Sequence, residues 1–159
     1  MLLSSLYFGS GGKCVLSYEE PEPWLCATWS GLIGNHEAMK GARNYLQEVA
    51  AHPCAFLLNN NLDLHGPWFN SVEWLEHAWL PQAQQLGLRY IAHVVQADQG
   101  ADILTLTHSD HLSGVLELQL FHDLAAARHW LRSCQHQAGA PGEATPSPGA
   151  KAALRWPLG

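Results

Sequence analysis

The sequence predicts an α/β fold: a mostly parallel central sheet with one antiparallel strand from an N-terminal hairpin, and helices covering the sheet. Three observations carry this. Short apolar runs of strand length, bounded by Pro, Gly or Asn, recur at residues 13–18, 24–29, 54–59, 88–96 and 115–121. Between them, apolar residues recur at helical spacing, as in Met39, Ala42, Leu46 and Val49. The first two runs are separated by only five residues, which suits a hairpin. The predicted order is β-β-α-β-α-β-α-β-α, and alternating helices and buried strands imply right-handed crossovers.

Each element has a local reason. In residues 13–18, Cys14, Leu16 and Tyr18 share one side of a strand. Pro21 and Pro23 stop the ladder, and residues 24–29 form the second strand. Asn35 is expected to cap a helix, with Glu37 in its first turn and Pro53 ending it near Ala51. The run CAFLLN at 54–59 reads as a strand buried on both faces. Residues 59–66 read as a loop, and Pro67 suits the first turn of the next helix. In that helix Trp68, Val72, Leu75, Trp79 and Leu86 should face the core. Pro81 should kink or break it near Leu80, and Gly87 should end it. Residues 88–96 form a strand with His93 at its centre. Asp98 starts a short helix through about Thr107. Leu116, Leu118 and Leu120 alternate with Glu117 and Gln119, the pattern of a half-exposed strand at an edge. Asp123 caps a last helix buried through Leu124, Ala127 and Leu131, with Arg128 and Arg132 toward its negative end.

A length of 159 residues favours one domain. Residues 1–12 read as a loose N-terminal segment, 13–134 as the α/β domain, and 135–159, rich in Ala, Gly and Pro, as a disordered tail. The net charge of −6 and eight scattered basic residues argue against nucleic acid or an anionic membrane surface as a partner. No apolar run is long enough to cross a membrane, and the first residues lack the positive start of a signal peptide, so a cytoplasmic location is expected. Cys14, Cys26, Cys54 and Cys134 lack metal-ligand spacing and read as reduced core thiols. No metal or cofactor is expected.

The candidate site is the predicted loop. It follows the carboxyl end of a central strand, where ligands of open α/β sheets bind, and it carries Asn60, Asp63 and His65. The plain alternative is that asparagines collect there because they tolerate turns. Trp74 points away from the stripe of Val72 and Leu75, as an interface residue would, or else packs beneath the neighbouring loop. His108, Asp110 and His111 read as a polar connection, and His93 as a satisfied buried histidine. No catalytic residue is expected. Ser71 and Ser109 sit in no nucleophile motif, and Glu19, Glu20 and Glu22 belong to an open turn, so a non-enzymatic role is favoured.

The stretches WLCATWSGLIGNHEAMKGARNYL, CAFLLNN, WLEHAWLPQAQQLGLRYIAHVV and FHDLAAARHWL resemble the STAS family in its broad sense. That family includes bacterial anti-sigma-factor antagonists, and the likeness is closer to small bacterial STAS-like proteins. It covers about residues 13–133. The resemblance implies a regulatory module that contacts a partner protein through Asn60, Asp63, His65 and Trp74. The family's phosphorylated serine has no counterpart, since residues 59–70 contain neither Ser nor Thr, so the usual phospho-switch is not expected. The alternative function is binding of an apolar or amphipathic small molecule beneath the second helix. A third reading is a homodimer paired through the edge strand at 115–121.

Overall fold

Tyr18 and Leu25 stand opposite each other across the turn at 19–24, and from there the predicted hairpin zips to Lys13 and Ser30. The computed structural model describes residues 1–66, 72–98 and 116–139. Its strands are β1 (Leu2–Tyr7), β2 (Lys13–Tyr18), β3 (Leu25–Leu32), β4 (Phe56–His65), β5 (Tyr90–Val94) and β6 (Glu117–Phe121). Among the described residues they form one six-stranded sheet in the order β1-β2-β3-β4-β5-β6. The pairs β1/β2 and β2/β3 are antiparallel, and β3/β4, β4/β5 and β5/β6 are parallel. The sheet is therefore mixed, with an antiparallel meander leading into a parallel half.

The N-terminal segment is not loose. Residues Leu2–Tyr7 pair with β2, and Asn44 Nδ2 donates to Ser4 Oγ at 2.7 Å, tying this strand to the first helix. The serines that break its apolar pattern are thus bonded or half-exposed at the sheet edge. At the other edge β6 has the predicted alternation: Leu118 is buried while Glu117 and Gln119 are exposed.

Helix α1 (Asn35–Ala51) starts one residue earlier than expected, with Gly34 as its cap. The backbone N–H of Gly34 donates to Glu37 Oε1 at 2.9 Å, and Ser10 Oγ lies 2.9 Å from Glu37 Oε2. These two contacts hold the Glu37 carboxyl below its ordinary pKa. The second helix is α2 (Val72–Trp74), a π-helical turn (Leu75–Trp79) and α3 (Leu80–Gln85) in unbroken succession. Pro81 does not break it. Proline lacks the amide that would bond the fourth residue back, and its ring crowds that carbonyl. The turn just before it widens instead, with the Leu80 amide reaching Leu75 O. Gly87, at φ 111°, ends the helix as expected.

Helix α4 (Leu124–Gly139) opens with Asp123 Oδ2 accepting from the Ala126 amide at 2.9 Å. It runs past the expected domain end at 134; residues 140–159 lie outside the described residues. So do His108, Asp110 and His111, and the short helix expected after Asp98. Arg128 Nη2 donates to Glu19 Oε2 and Arg132 pairs with Glu22, each at 2.8 Å. The turn carboxylates are therefore not an open cluster; they clamp α4 to the β2–β3 turn. Burial alone would raise the Glu19 pKa, but hydrogen bonds from Arg128 and Trp24 outweigh it and hold the carboxyl low.

The helices divide between the two faces of the sheet. Consecutive strand residues point to opposite faces. Phe56 and Tyr90 stack at 5.4 Å, and Trp130 of α4 meets Tyr90 and Phe121 at 6.2 and 5.7 Å. Leu57 and Ile91, one residue on, face the other way, toward α1 and the second helix. All four cysteines are buried and free. Among the described residues no helix is long and apolar enough to cross a membrane.

Candidate functional site

The face beneath α1 is built from large rings set against small residues. Gly41 packs so closely on Trp29 that a Cβ there would lie 2.3 Å from the indole. Ala27 on the sheet, and Ala38 and Ala42 on α1, leave further space. The result is a cavity of about 80 Å3 within about 730 Å3 of space that runs out into solvent. Tyr45, Leu75, Trp79, Ile91 and Leu118 contribute apolar wall. Tyr45 and Trp79 lie 5.3 Å apart, and Trp79 Nε1 donates to the Ala42 carbonyl at 2.7 Å, which pins the second helix to α1. Both Leu75 and Trp79 belong to the π-helical turn, so the widened turn forms part of the wall.

Across this apolar floor runs a polar chain. Parallel pairing places Ala27, Asn59 and His93 side by side on β3, β4 and β5. Trp29 Nε1 donates to Asn59 Oδ1 at 2.9 Å, and Asn59 Nδ2 lies 2.8 Å from His93 Nδ1. The indole can only donate, so the Asn59 oxygen must face it and the amide nitrogen must face histidine. His93 Nδ1 then accepts, and the proton of the neutral ring sits on Nε2. The ring is 4 % exposed. Burial pushes its pKa down from 6.5 to about 4.

The remaining polar groups define what the cavity can do. Among the described residues, none of its lining side chains is Asp, Glu, Lys or Arg. Burial pushes the Cys14 thiol up to about 12, so it is no thiolate nucleophile at neutral pH. The Tyr45 hydroxyl is buried, with no hydrogen-bond partner among the described residues, and burial raises its pKa. Such a lining can bind and orient a small molecule.

The sequence-predicted residues lie elsewhere. Residues 60–65 are not a loop but the second half of β4, paired in parallel with β3 across a bulge opposite Thr28 and Ser30. Asn60 is half-buried on the opposite face from Asn59, and its Oδ1 accepts from the Leu62 amide at 3.1 Å. Asp63 and His65 are exposed at the far end of the strand. Trp74 does not point outward: it is half-buried, packs against the core and lies under the Arg43 guanidinium at 5.4 Å. None of the four lines the cavity. Sequence reasoning missed Trp29, Tyr45, Asn59 and Trp79. The available signal was an asparagine within an apolar run, matched by a histidine within the next one.

No protein-family model, curated protein or solved structure significantly matches the chain.

His93 makes stability depend on pH. Its folded pKa of about 4 lies below the ordinary 6.5, so the unfolded chain binds the proton more readily. The contribution is complete above pH 6.5 and is lost as pH falls through the interval to about 4. It amounts to about 3 kcal/mol. Urea unfolding at about pH 7 and about pH 4.5 should show His93→Gln losing roughly 2–3 kcal/mol less than the parent protein between the two.

Tyr45→Phe removes a hydroxyl that has no protein partner. Deleting a bonded buried hydroxyl normally costs about 1 kcal/mol; here stability should stay level or rise by up to about 1 kcal/mol. A loss above about 1 kcal/mol in chemical denaturation would contradict the assignment.

Proposed function

We propose that the protein binds a small uncharged molecule in the cavity between the sheet and the helices α1 and α2–α3. One observation carries the reading: an apolar cavity whose floor holds the fixed polar chain Trp29–Asn59–His93. Ligand sites are typically apolar enclosures with a few placed polar groups. At about 10–15 Å3 for each water-sized group, 80 Å3 admits roughly six such groups. The ligand is therefore compact.

The test is titration with methylenecyclohexane, followed through the indole N–H resonances. Trp29 and Trp79 belong to the cavity wall, whereas Trp24 is bonded to Glu19 near α4 and serves as an internal control. Saturable shifts at Trp29 and Trp79 are expected, with a dissociation constant on the order of 1 mM or tighter and Trp24 unmoved. Unchanged spectra up to the solubility limit would sink the reading.

A second reading is a STAS-like regulatory module contacting a partner protein in the cytoplasm. It is favoured by one surface feature: Leu32, 52 % exposed, stands beside exposed His65 on the paired ends of β3 and β4, with Asp63 nearby on β4. A pull-down from the host with the parent protein and Asp63→Ala is decisive. Loss of a partner in the variant supports the surface, and equal recovery removes it.

A further inference from the structure

β1 ends the sheet, and among the described residues no strand covers its outer side. In an antiparallel pair, successive residues bond alternately toward the partner strand and away from it. The Phe8 amide donates to Gly12 O at 2.9 Å, so Leu6 and Ser4 turn their amide and carbonyl groups toward β2. Ser5 and Tyr7 turn theirs outward. The side chains of this strand are also open. Among the described residues the exposed large apolar side chains are Met1, Leu2, Tyr7 and Leu32, and three of these four belong to residues 1–7. Leu6 is half-buried, yet it is not among the apolar side chains that pack on the core, whereas Leu3 and Phe8 are. Edge strands are ordinarily guarded by charge or proline. Residues 1–12 contain no Asp, Glu, Lys, Arg, His or Pro, and the bulge between Leu2 and Ser4 interrupts only the start of the strand. At the opposite edge among the described residues, β6 carries the exposed charge of Glu117.

We infer that β1 pairs antiparallel with β1 of a second copy of this chain, about a two-fold axis at Leu6. The inference is independent of the cavity. The outward backbone groups select the register. With the axis at Leu6, Ser5 of each copy stands opposite Tyr7 of the other, and both pairs exchange main-chain hydrogen bonds. Leu6 meets its own counterpart in the closer, non-bonded pair between them, where side chains touch. An axis at Ser5 would instead set Tyr7 against Leu3, at the bulge where the strand's register shifts. Charge favours the same occupant. The chain carries −6, so two copies repel over most of their surface, and the uncharged residues 1–12 let them approach with no like charges opposed. A two-fold contact closes after two copies, whereas pairing β1 of one copy with β6 of the next would be open-ended. The contact joins the two six-stranded sheets into one.

Sedimentation velocity on the full chain tests the association, and cysteine cross-linking tests the register. The parent protein should pass from monomer to dimer with a dissociation constant on the order of 10 μM, as befits a small interface. Ser5→Pro removes an outward amide hydrogen and leaves the bonds to β2 in place, so it should stay monomeric at about tenfold higher concentration. For the register, the native thiols do not interfere, because all four are buried. Leu6 and its counterpart would have Cα atoms about 4.5 Å apart, within disulfide range. The two copies of Leu2 would lie roughly 27 Å apart at about 3.4 Å per residue, although Leu2 is 63 % exposed. With oxidised glutathione as oxidant, Leu6→Cys should therefore form a covalent dimer at least about tenfold faster than Leu2→Cys. A monomer at every concentration up to about 1 mM overturns the inference, as does a dimer that folded Ser5→Pro leaves intact. Leu2→Cys linking as fast as Leu6→Cys overturns it too. If circular dichroism shows Ser5→Pro unfolded, the cysteine pair decides alone.

Discussion

The hydrogen-bonded chain from Trp29 through Asn59 to His93 constrains the centre of this molecule. It spans β3, β4 and β5, the strands that join the antiparallel meander to the parallel half. Two amide atoms and an imidazole cannot sit in an apolar layer unless they bond one another, because leaving either unbonded costs more than the bond itself contributes. That requirement fixes the register of β4 against both neighbours. A one-residue slip of β4 would turn Asn59 to the α4 face and bury Asn60 beneath α1 in its place. It also fixes the histidine tautomer, and so decides which polar atoms the cavity presents. Trp29 in turn is held flat by Gly41, where any side chain would displace the indole.

Much of the architecture was legible because it rests on local patterns. The β2–β3 hairpin, α1, its end near Ala51, the buried β4 start, Gly87 and the Asp123 cap follow from spacing, breakers and capping chemistry. The misreadings have a common cause: backbone bonds supplied by a partner strand outweigh local preference. Residues 60–65 carry turn-forming asparagines, yet β3 gives them a parallel partner and they extend. Residues 2–7 look interrupted, yet β2 gives them an antiparallel one. Trp74 takes the packed one of its two expected placements, half-buried against the core beside Arg43.

The site was less legible than the fold because it depends on register across sequence-distant strands. Asn59 and His93 are 34 residues apart, and Trp29 precedes Asn59 by 30. An asparagine in CAFLLNN and a histidine in YIAHV are each ordinary exceptions in a strand. Only the pairing of Asn59 with His93 turns two exceptions into one bonded unit. The loop hypothesis followed the general rule that ligands sit beyond the carboxyl ends of parallel strands. Here the polar groups are within the strands, and the space lies beside the small residues Ala27, Ala38 and Ala42.

The two faces of the sheet are packed differently, and the difference supports the proposed binding role of that space. On the α4 face, Phe56, Tyr90, Phe121 and Trp130 meet ring against ring. The chain is thus able to fill an interlayer region with large side chains, and does so on one side. On the other it sets Ala27, Ala38 and Ala42 beside Trp29, Tyr45 and Trp79, leaving about 80 Å3 that no side chain of the described residues fills. At about 24 cal/mol per Å3 that volume costs roughly 2 kcal/mol. A buried Tyr45 hydroxyl without a protein partner adds about 1–3 kcal/mol. Larger residues at Ala38 or Ala42 and phenylalanine at Tyr45 are simple remedies for both. Local choices that lower stability without a compensating contact concentrate at functional sites. The unfilled space beside the bonded chain Trp29–Asn59–His93 thus supports the proposed binding role of this face.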